Sequence, residues 1–310
     1  MAWSLSGAPR LDGRVAIVTG ATGGLGWEVA LGLALQGATT VLAGRNPVKG
    51  ADALTRLLAR VPGAVARFEL LDLASLDSVA MFAARMAAAH PAVSVLVNNA
   101  GVMSPPVRQV TADGFELQFG TNYLDHFALT ARLLPQLLAS GGARVVSVAS
   151  LAHRMARIDF QDPQGAKRYQ ARASYGQSKL AMLMFALELQ RRAKTAGWAL
   201  TSVAAHPGLA VTDLIANGPG GGNPGLRERA MEGAFRVFGQ SAAQGALPLL
   251  FAAVAPDAKG GGYYGPDGFM ETRGAVSPSR IMPQAMDAGA AARLWTLSEK
   301  LTEVSFAEAG

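Results

Sequence analysis

Short, mainly apolar runs alternate along the chain with longer segments that read as helices. The runs are Val15–Thr19, Thr40–Ala43, Phe68–Leu71, Val93–Asn98, Arg144–Val148 and Thr201–Ala205, each bounded by turn-forming residues. Runs of this length with no polar face read as strands covered on both sides, the condition of a parallel sheet. Between them, Leu25–Gln36, Gly50–Arg60, Leu76–Ala89, Ala112–Ala139 and Ser174–Ala196 read as helices. This alternation predicts an α/β protein with a doubly wound parallel sheet and right-handed crossovers. Ligands of such sheets bind beyond the carboxyl ends of the strands, so the residues just after each run are the ones to inspect.

Composition narrows the picture. Half of the 310 residues are apolar and 16% are charged, which suits one large core better than two domains. Residues 1–12 read as an N-terminal tail and 13–310 as one domain. The chain has no cysteine, which excludes disulfides, thiolate nucleophiles and thiolate zinc sites. His90, His126, His153 and His206 lie far apart and show no ligand spacing, so no metal is expected. The formal charge is +6, but the basic residues form no dense run, so a solvated basic surface is expected rather than nucleic-acid binding. The opening MAWSLSGAPR has no apolar core of the signal type, and no run nears the roughly 18 apolar residues of a membrane span. A cytoplasmic protein without a membrane span is the expectation.

After the first strand comes Thr19-Gly20-Ala21-Thr22-Gly23-Gly24-Leu25-Gly26, which opens the first helix. Gly20, Gly24 and Gly26 stand where side chains would block a tight turn or the approach of a pyrophosphate to free N–H groups. By itself this reads either as the dinucleotide turn of a Rossmann sheet or as a plain tight turn. The second strand ends in Leu42-Ala43-Gly44-Arg45-Asn46. An NAD site usually places an acid here for the ribose 2′-hydroxyl. Arg45 suits a 2′-phosphate instead, with Lys49 in reach, unless both belong to an exposed basic loop. Asp72, in Leu71-Asp72-Leu73, is placed either to accept from an adenine amino group or to cap the following helix.

Tyr175 and Lys179 stand at i and i+4, on one helix face, where an ammonium favours the phenolate. A Tyr–Lys pair alone is ordinary surface decoration, and its meaning comes from its company. Gly20/Gly24/Gly26, Asn98-Asn99-Ala100-Gly101, Asn122, Ser150, Tyr175/Lys179 and Pro207-Gly208 follow the order and approximate spacing of the short-chain dehydrogenases/reductases. The chain resembles that family over about residues 13–213. Asp113–Glu116, Gln118–Asn122, Ala152-His153 and His206–Gly208 are similar to its retinol-dehydrogenase-like and protochlorophyllide-reductase-like branch.

The resemblance implies a catalytic set of Asn122, Ser150, Tyr175 and Lys179. Tyr175 would protonate a carbonyl or deprotonate an alcohol, and Ser150 would bind the substrate oxygen. Lys179 would hold the nicotinamide ribose, and Asn122 a relay water. Gly20, Thr22, Gly24, Leu25 and Gly26 would hold the pyrophosphate side of the cofactor, and Arg45, Asp72 and Leu73 the adenosine side. Asn99, Ala100, Gly101, Pro207, Gly208 and Thr212 would line the nicotinamide side, together with Tyr175 and Lys179. NADP(H) is the expected cofactor, with NAD(H) as the alternative. The activity implied is carbonyl–alcohol interconversion on a lipophilic small molecule. Reduction of an activated C=C bond and a catalytically silent NADP(H)-binding regulator are the alternatives.

Several positions depart from the family pattern. Ala149 replaces a frequent serine, Ser147 a frequent asparagine, and Ala210 a frequent valine. Tyr123 and Asp125 stand where the branch often has His and Gly. The missing cysteine weighs against protochlorophyllide reduction. His153 reads as pocket wall or loop packing and His206 as a brace for the Pro-Gly turn. The long charged stretch between Ser150 and Tyr175 reads as a solvated loop that alters a face used for homo-oligomer formation. A substrate lid is expected at about 209–240, with the glycine-rich Asn217–Asn223 within it. There, Leu214, Ile215, Leu226, Met231, Phe235 and Val237 read equally as pocket lining or as a helix core stripe.

Overall fold

The computed structural model describes residues 3–210 and 239–306. Strands β1 (Val15–Thr19), β2 (Thr39–Gly44), β3 (Ala66–Leu70), β4 (Val95–Asn98), β5 (Ala143–Val148), β6 (Leu200–Ala205), β7 (Tyr263–Pro266) and β8 (Val276–Pro278) form one sheet. Its spatial order is β3-β2-β1-β4-β5-β6-β7-β8. Every pairing is parallel except β7 with β8, which is antiparallel. The strand order reverses between β1 and β4, which opens a crevice at their carboxyl ends.

Both sheet faces are covered, as the unbroken apolar runs require. In register, Ile17 stands beside Val41 and Leu96, and Val18 beside Leu42 and Val97. The pleat sends the first set to one face and the second to the other. Helices α1 (Gly24–Leu35) and α2 (Pro47–Arg60) cover the second face with Val29, Leu33 and Leu57. The first face is covered by α3 (Leu76–Ala89) and by a broken helical segment made of α4 (Leu117–Phe119), a π turn (Gly120–Leu124), α5 (Asp125–Arg132) and α6 (Leu134–Ala139). Helix α7 (Ala171–Thr195) joins that face, α8 (Ala242–Val254) packs with α1, and α9 (Ala288–Thr302) docks on α5 and α7. Phe127 and Phe185 meet Trp295 at ring centroid distances of 5.0 and 5.8 Å, and Tyr123 Oη shares a 2.7 Å hydrogen bond with Ser298 Oγ.

The single helix expected over Ala112–Ala139 is corrected in three places. Asp113-Gly114 makes a tight turn, with Gly114 at φ 83° and Val110 bridged to Glu116, so no helix begins before residue 117. There the buried Glu116 carboxylate accepts from the N–H groups of Gln118 and Phe119 and starts the helix. The π turn follows at Gly120–Leu124, and Pro135, which has no N–H to give, separates α5 from α6.

Trp3 stacks edge-on against Phe251 at 5.4 Å, and Gln36 Nε2 donates to the Leu5 carbonyl at 2.8 Å, so the N-terminal segment lies along the body. Thr212, Leu214, Ile215, Leu226, Met231, Phe235 and Val237, like most of the expected lid, lie outside the described residues. The flanks of that stretch meet. Ala210 is bridged to Gln240, whose N–H donates to the Leu209 carbonyl at 2.9 Å. No helix among the described residues is long and apolar enough to cross a membrane.

One core residue stands out for its cost. Asp125 is fully buried, and neither carboxylate oxygen reaches a hydrogen-bond partner among the described residues. Desolvation, then the charges of Asp113 and Asp72, raise its pKa to about 8, and the Ser75 N–H, beyond hydrogen-bond distance, opposes this only weakly. Between the ordinary carboxylate range and about pH 8 the native side chain keeps a proton that the unfolded chain has lost. Stability therefore falls as pH rises through that window. Asp125→Asn is expected to remove this slope and to raise Tm at pH 8 by about 2–4 °C. Melting curves at pH 5, 7 and 8.5 check it, and parallel curves for both proteins would refute it.

Candidate active site

The glycine turn is shaped by backbone packed against backbone. Gly20, at φ 66°, lies so close to Ala100 that a Cβ would stand 2.9 Å from the Ala100 Cα. A Cβ on Gly26 would collide with the Gly20 carbonyl. Helix α1 begins directly behind, with no side-chain cap and no acid in its first turn. Its first N–H groups and positive end therefore face the crevice. The crevice itself is a cleft of about 890 Å³, a volume suited to a cofactor with a substrate beside it.

Gly20, Thr22, Gly24, Leu25 and Gly26 line one end of the cleft. Arg45 and Lys49 stand exposed at its rim, beyond β2. The next acid, Asp52, is engaged with Arg56 at 2.9 Å and does not line the cleft. That leaves the rim cationic, with no carboxylate at the position an NAD site would use. Asp72 and Leu73 line the wall after β3. Asp72 does not cap α3. That role falls to Ser75, which accepts from the Ser78 N–H at 3.3 Å, while Asp72 Oδ1 holds the Ala74 N–H at 3.0 Å.

Asn99, Ala100 and Gly101 form the floor after β4. Asn99 Nδ2 donates to the Thr19 carbonyl at 2.8 Å, tying this floor to the end of β1. Ser150 and Tyr175 face the cleft from the far wall, and Lys179 lies beside them. Ser150 caps the 3-10 turn Leu151–Met155, and its hydroxyl accepts from the Ala152 N–H at 3.2 Å. Burial raises the Tyr175 phenol above its ordinary value, and the Ser150 hydroxyl pulls the other way. Lys179 is nearly fully buried, and its Nζ donates to the Val148 carbonyl at 3.0 Å, 6.0 Å from the Tyr175 ring centroid. Burial brings its pKa down to about 8. The expectation that the ammonium depresses the tyrosine pKa is therefore not met in this arrangement. The Lys179 charge is directed at Val148, and desolvation of the phenol prevails.

Asn122 sits in the π turn, just behind the wall. Its side chain accepts from the Val102 N–H at 2.7 Å, and its amide donates to the Val102 carbonyl at 3.0 Å and to Ser178 Oγ at 2.9 Å. It thus joins the floor to the helix turn that carries Tyr175 and Lys179. Pro207 and Gly208 complete the cleft after β6. Gly208, at φ 64°, is pressed against the Thr272 carbonyl, where no Cβ fits.

Sequence reasoning missed the support under that last turn. His206 Nδ1 accepts from the Gly208 N–H at 3.1 Å, so His206 does brace the Pro-Gly turn. Its Nε2 lies 3.0 Å from Glu271, which pairs with Arg154 at 2.8 Å. Glu271 is held at a pKa of about 2, because hydrogen bonds from His206 and the Arg280 N–H, together with the Arg154 charge, outweigh its partial burial. Met270 and Glu271 both adopt positive φ, 53° and 60°, a backbone strain sustained by this network. No spacing in the sequence announces it. His153 is buried behind the wall, donates Nδ1–H to the Ser150 carbonyl at 2.7 Å, and packs edge-on against Tyr263. The charged stretch after Ser150 is ordered by Asp162, which accepts from the N–H groups of Ala166, Lys167 and Arg168. No group of three or more His, Asp or Glu among the described residues could hold a metal ion.

A dinucleotide fits this cleft. The glycines let the turn pack directly on the floor of the cleft, the start of α1 has no side-chain cap, and the rim offers cations. Comparison with known proteins agrees. The profile of the family described as short chain dehydrogenase matches residues 14–218. Retinol dehydrogenase 13 of Mus musculus is 39% identical over 305 residues, which cover 96% of this chain and 86% of the relative. Polyprenol dehydrogenase of Mus musculus is 43% identical over 261 residues, covering 83% and 76%. The crystal structure of an uncharacterized protein from Mycobacterium paratuberculosis superposes with a TM-score of 0.80 at 38% identity, over 99% of this chain and 100% of that one.

Proposed function

The chain belongs to the short-chain dehydrogenase/reductase family, in its retinol-dehydrogenase-like branch, and from that premise we propose that it is an NADP(H)-dependent oxidoreductase interconverting a carbonyl and an alcohol on a lipophilic small molecule. One observation carries this reading. Ser150, Tyr175 and Lys179 gather at one end of a single cleft whose other end is the glycine turn with Arg45 and Lys49 at its rim. The cofactor, when bound, supplies or takes up the hydride. The glycine turn and the start of α1 would hold its pyrophosphate, Arg45 and Lys49 a 2′-phosphate, and Asp72 the adenine side.

The protein's own chemistry is one proton and its positioning. In the reductive direction the substrate oxygen lies against two hydroxyls. Ser150 Oγ–H steadies the growing negative charge, and Tyr175 Oη–H delivers the proton. Burial, which holds the phenol above its ordinary pKa, keeps that proton in place until it is needed. Lys179 stands one helical turn from the phenol, its Nζ 6.0 Å from the Tyr175 ring centroid, where it would hold the nicotinamide ribose of a bound cofactor. Asn122 fixes the helix turn on which both stand.

The lipophilic reading rests on the lining near Ser150, where Val102, Met103, Pro105, Pro106, Leu117 and Leu151 offer apolar surface. Two of the relatives are dehydrogenases of retinol and of polyprenol, both hydrocarbon-rich alcohols. The test is a screen of lipophilic aldehydes, ketones and alcohols with both cofactors, with products identified by mass spectrometry. Alcohol formed from carbonyl, faster with NADPH, is the expected result. A saturated product from an activated alkene would move the assignment to C=C reduction. NADPH binding with no turnover of any substrate would favour a silent regulator.

A further inference from the structure

A run of buried hydrogen bonds connects the floor of the cleft to the helix turn of Tyr175 and Lys179 through a residue that none of the chemistry above uses. His126, on α5, is 0% exposed. Its Nδ1 lies 3.0 Å from the main-chain carbonyl of Asn122, and its Nε2 lies 2.9 Å from Thr19 Oγ1. A carbonyl only accepts, so Nδ1 carries the proton. Burial first, with a smaller contribution from the Lys179 charge, lowers the ring's pKa to about 3, against the Asn122 hydrogen bond. The imidazole is thus neutral in the working range. Nε2 is then an acceptor, and the Thr19 hydroxyl donates to it at 2.9 Å in preference to the Val97 carbonyl at 3.3 Å. Thr19 Oγ1 in turn accepts from the N–H groups of Asn99 and Ala100, each at 2.9 Å. Every bond in the series has one direction: floor N–H to Thr19, Thr19 to His126, His126 to Asn122.

Both ends touch the site. Asn99 and Ala100 are the backbone floor on which a dinucleotide would rest. Asn122 is locked to Val102 on one side and Ser178 on the other. A Cβ on Gly101 would stand 3.0 Å from Asn122 Oδ1 and 3.6 Å from Lys179 Nζ, so the amide and the ammonium converge on one point of the floor.

We propose that His126 is a positioning residue, which fixes the Asn122 main-chain carbonyl through Nδ1–H and couples it through Thr19 to the backbone beneath the cofactor. A dinucleotide pressing on the floor then aligns the Lys179–Tyr175 turn, and the alignment of that turn feeds back on cofactor affinity. The inference rests on the oxidoreductase reading above, but two of its three readouts do not.

Asparagine places its amide N–H near the position of Nδ1, and glutamine reaches the position of Nε2. H126N therefore keeps the donor to Asn122, whereas H126Q keeps the link to Thr19 and leaves the Asn122 carbonyl without it. T19V removes the hydroxyl at constant shape, and guards against a His126 variant that fails to fold. The first readout is nitrogen-15 NMR of the histidine side chains. The proposal requires a His126 Nδ1–H tautomer that does not titrate between pH 5 and 9 and whose signals move on addition of NADP⁺. The second is NADPH affinity by fluorescence titration, where T19V and H126N weaken binding by about tenfold, the order of one lost buried hydrogen bond. The third is turnover, where H126Q lowers kcat by about tenfold or more and displaces the pH profile, while H126N stays within about threefold of wild type. An Nε2–H tautomer, or H126N and H126Q losing kcat equally with unmoved pH profiles, would overturn the proposal and leave His126 a packing residue. Should wild type turn over no carbonyl at all, the functional reading fails, and the tautomer and affinity readouts still decide this one.

Discussion

Tyr175→Phe is expected to reduce turnover by about a thousandfold while leaving the affinity for NADPH within about twofold of wild type. The magnitude follows from what is removed: general acid–base catalysis contributes about 10²–10⁴. The rest of the site stays in place. Ser178 Oγ donates to the main-chain carbonyl of residue 175, not to its side chain, and Lys179 holds the Val148 carbonyl without the phenol. The ring remains to pack, so the protein should melt near the wild-type temperature. Kinetics with a substrate found in the screen, beside a cofactor titration, check the prediction. A variant retaining more than a tenth of wild-type kcat would take the proton-transfer role away from Tyr175.

Arg45→Asp should invert cofactor preference, shifting the NADPH/NADH ratio of kcat/KM by about a hundredfold. A hydrogen bond to a charged group is worth about 1.5–3 kcal/mol, a factor of roughly ten to a hundred by itself. The new carboxylate then repels a 2′-phosphate and accepts from a 2′-hydroxyl, which adds to the shift in both directions. Lys49 remains at the rim and tempers the loss of NADPH. Arg45 is exposed, so stability should change by no more than about 0.5 kcal/mol. Steady-state kinetics with both cofactors settle the matter, and an unchanged ratio would remove Arg45 from the binding site.

The framework was legible where the physics is local. Parallel strands covered on both faces are rich in apolar residues, and β1 to β6 are readable within a residue or two at each end, although β3 at the sheet edge carries Arg67 and Glu69. β7 and β8 were not. Tyr263-Tyr264-Gly265-Pro266 carries a glycine and a proline that signal a turn, and Val276–Pro278 is too short to show alternation. Helix α8 is apolar nearly all round and contains Pro248, so it offers no stripe to read. The segment 112–116 follows helical spacing, yet Asp113-Gly114 outweighs it, since a left-handed glycine is far easier in a turn than in a helix.

The candidate site divides in the same way. The glycine turn, Asn99–Gly101, Ser150 and Pro207-Gly208 stand just after strands, Tyr175 and Lys179 share one helix face, and the cleft gathers them as the topology demands. What sequence could not reach are bonds between distant residues. Thr19 and His126 meet across the sheet, and Glu271 arrives from far downstream to brace His206. In each case the residue types are ordinary and only the folded chain brings them together. Asp72 is an intermediate case. The sequence allows both of its readings, and in the structure the cap of the following helix is Ser75.

The stretch between Ala210 and Gln240 begins and ends at one point. Leu209 is fastened to Thr272 through its N–H at 2.8 Å, Gln240 Nε2 donates to the Pro207 carbonyl at 2.7 Å, and the two flanks are bridged to each other. Where two flanks are already pinned together, the chain between them can change length at a cost that grows only slowly with its size. Natural or engineered diversity should therefore concentrate there. In an exchange of that stretch between relatives, the sheet, the glycine turn and the Tyr–Lys helix are expected to keep their places.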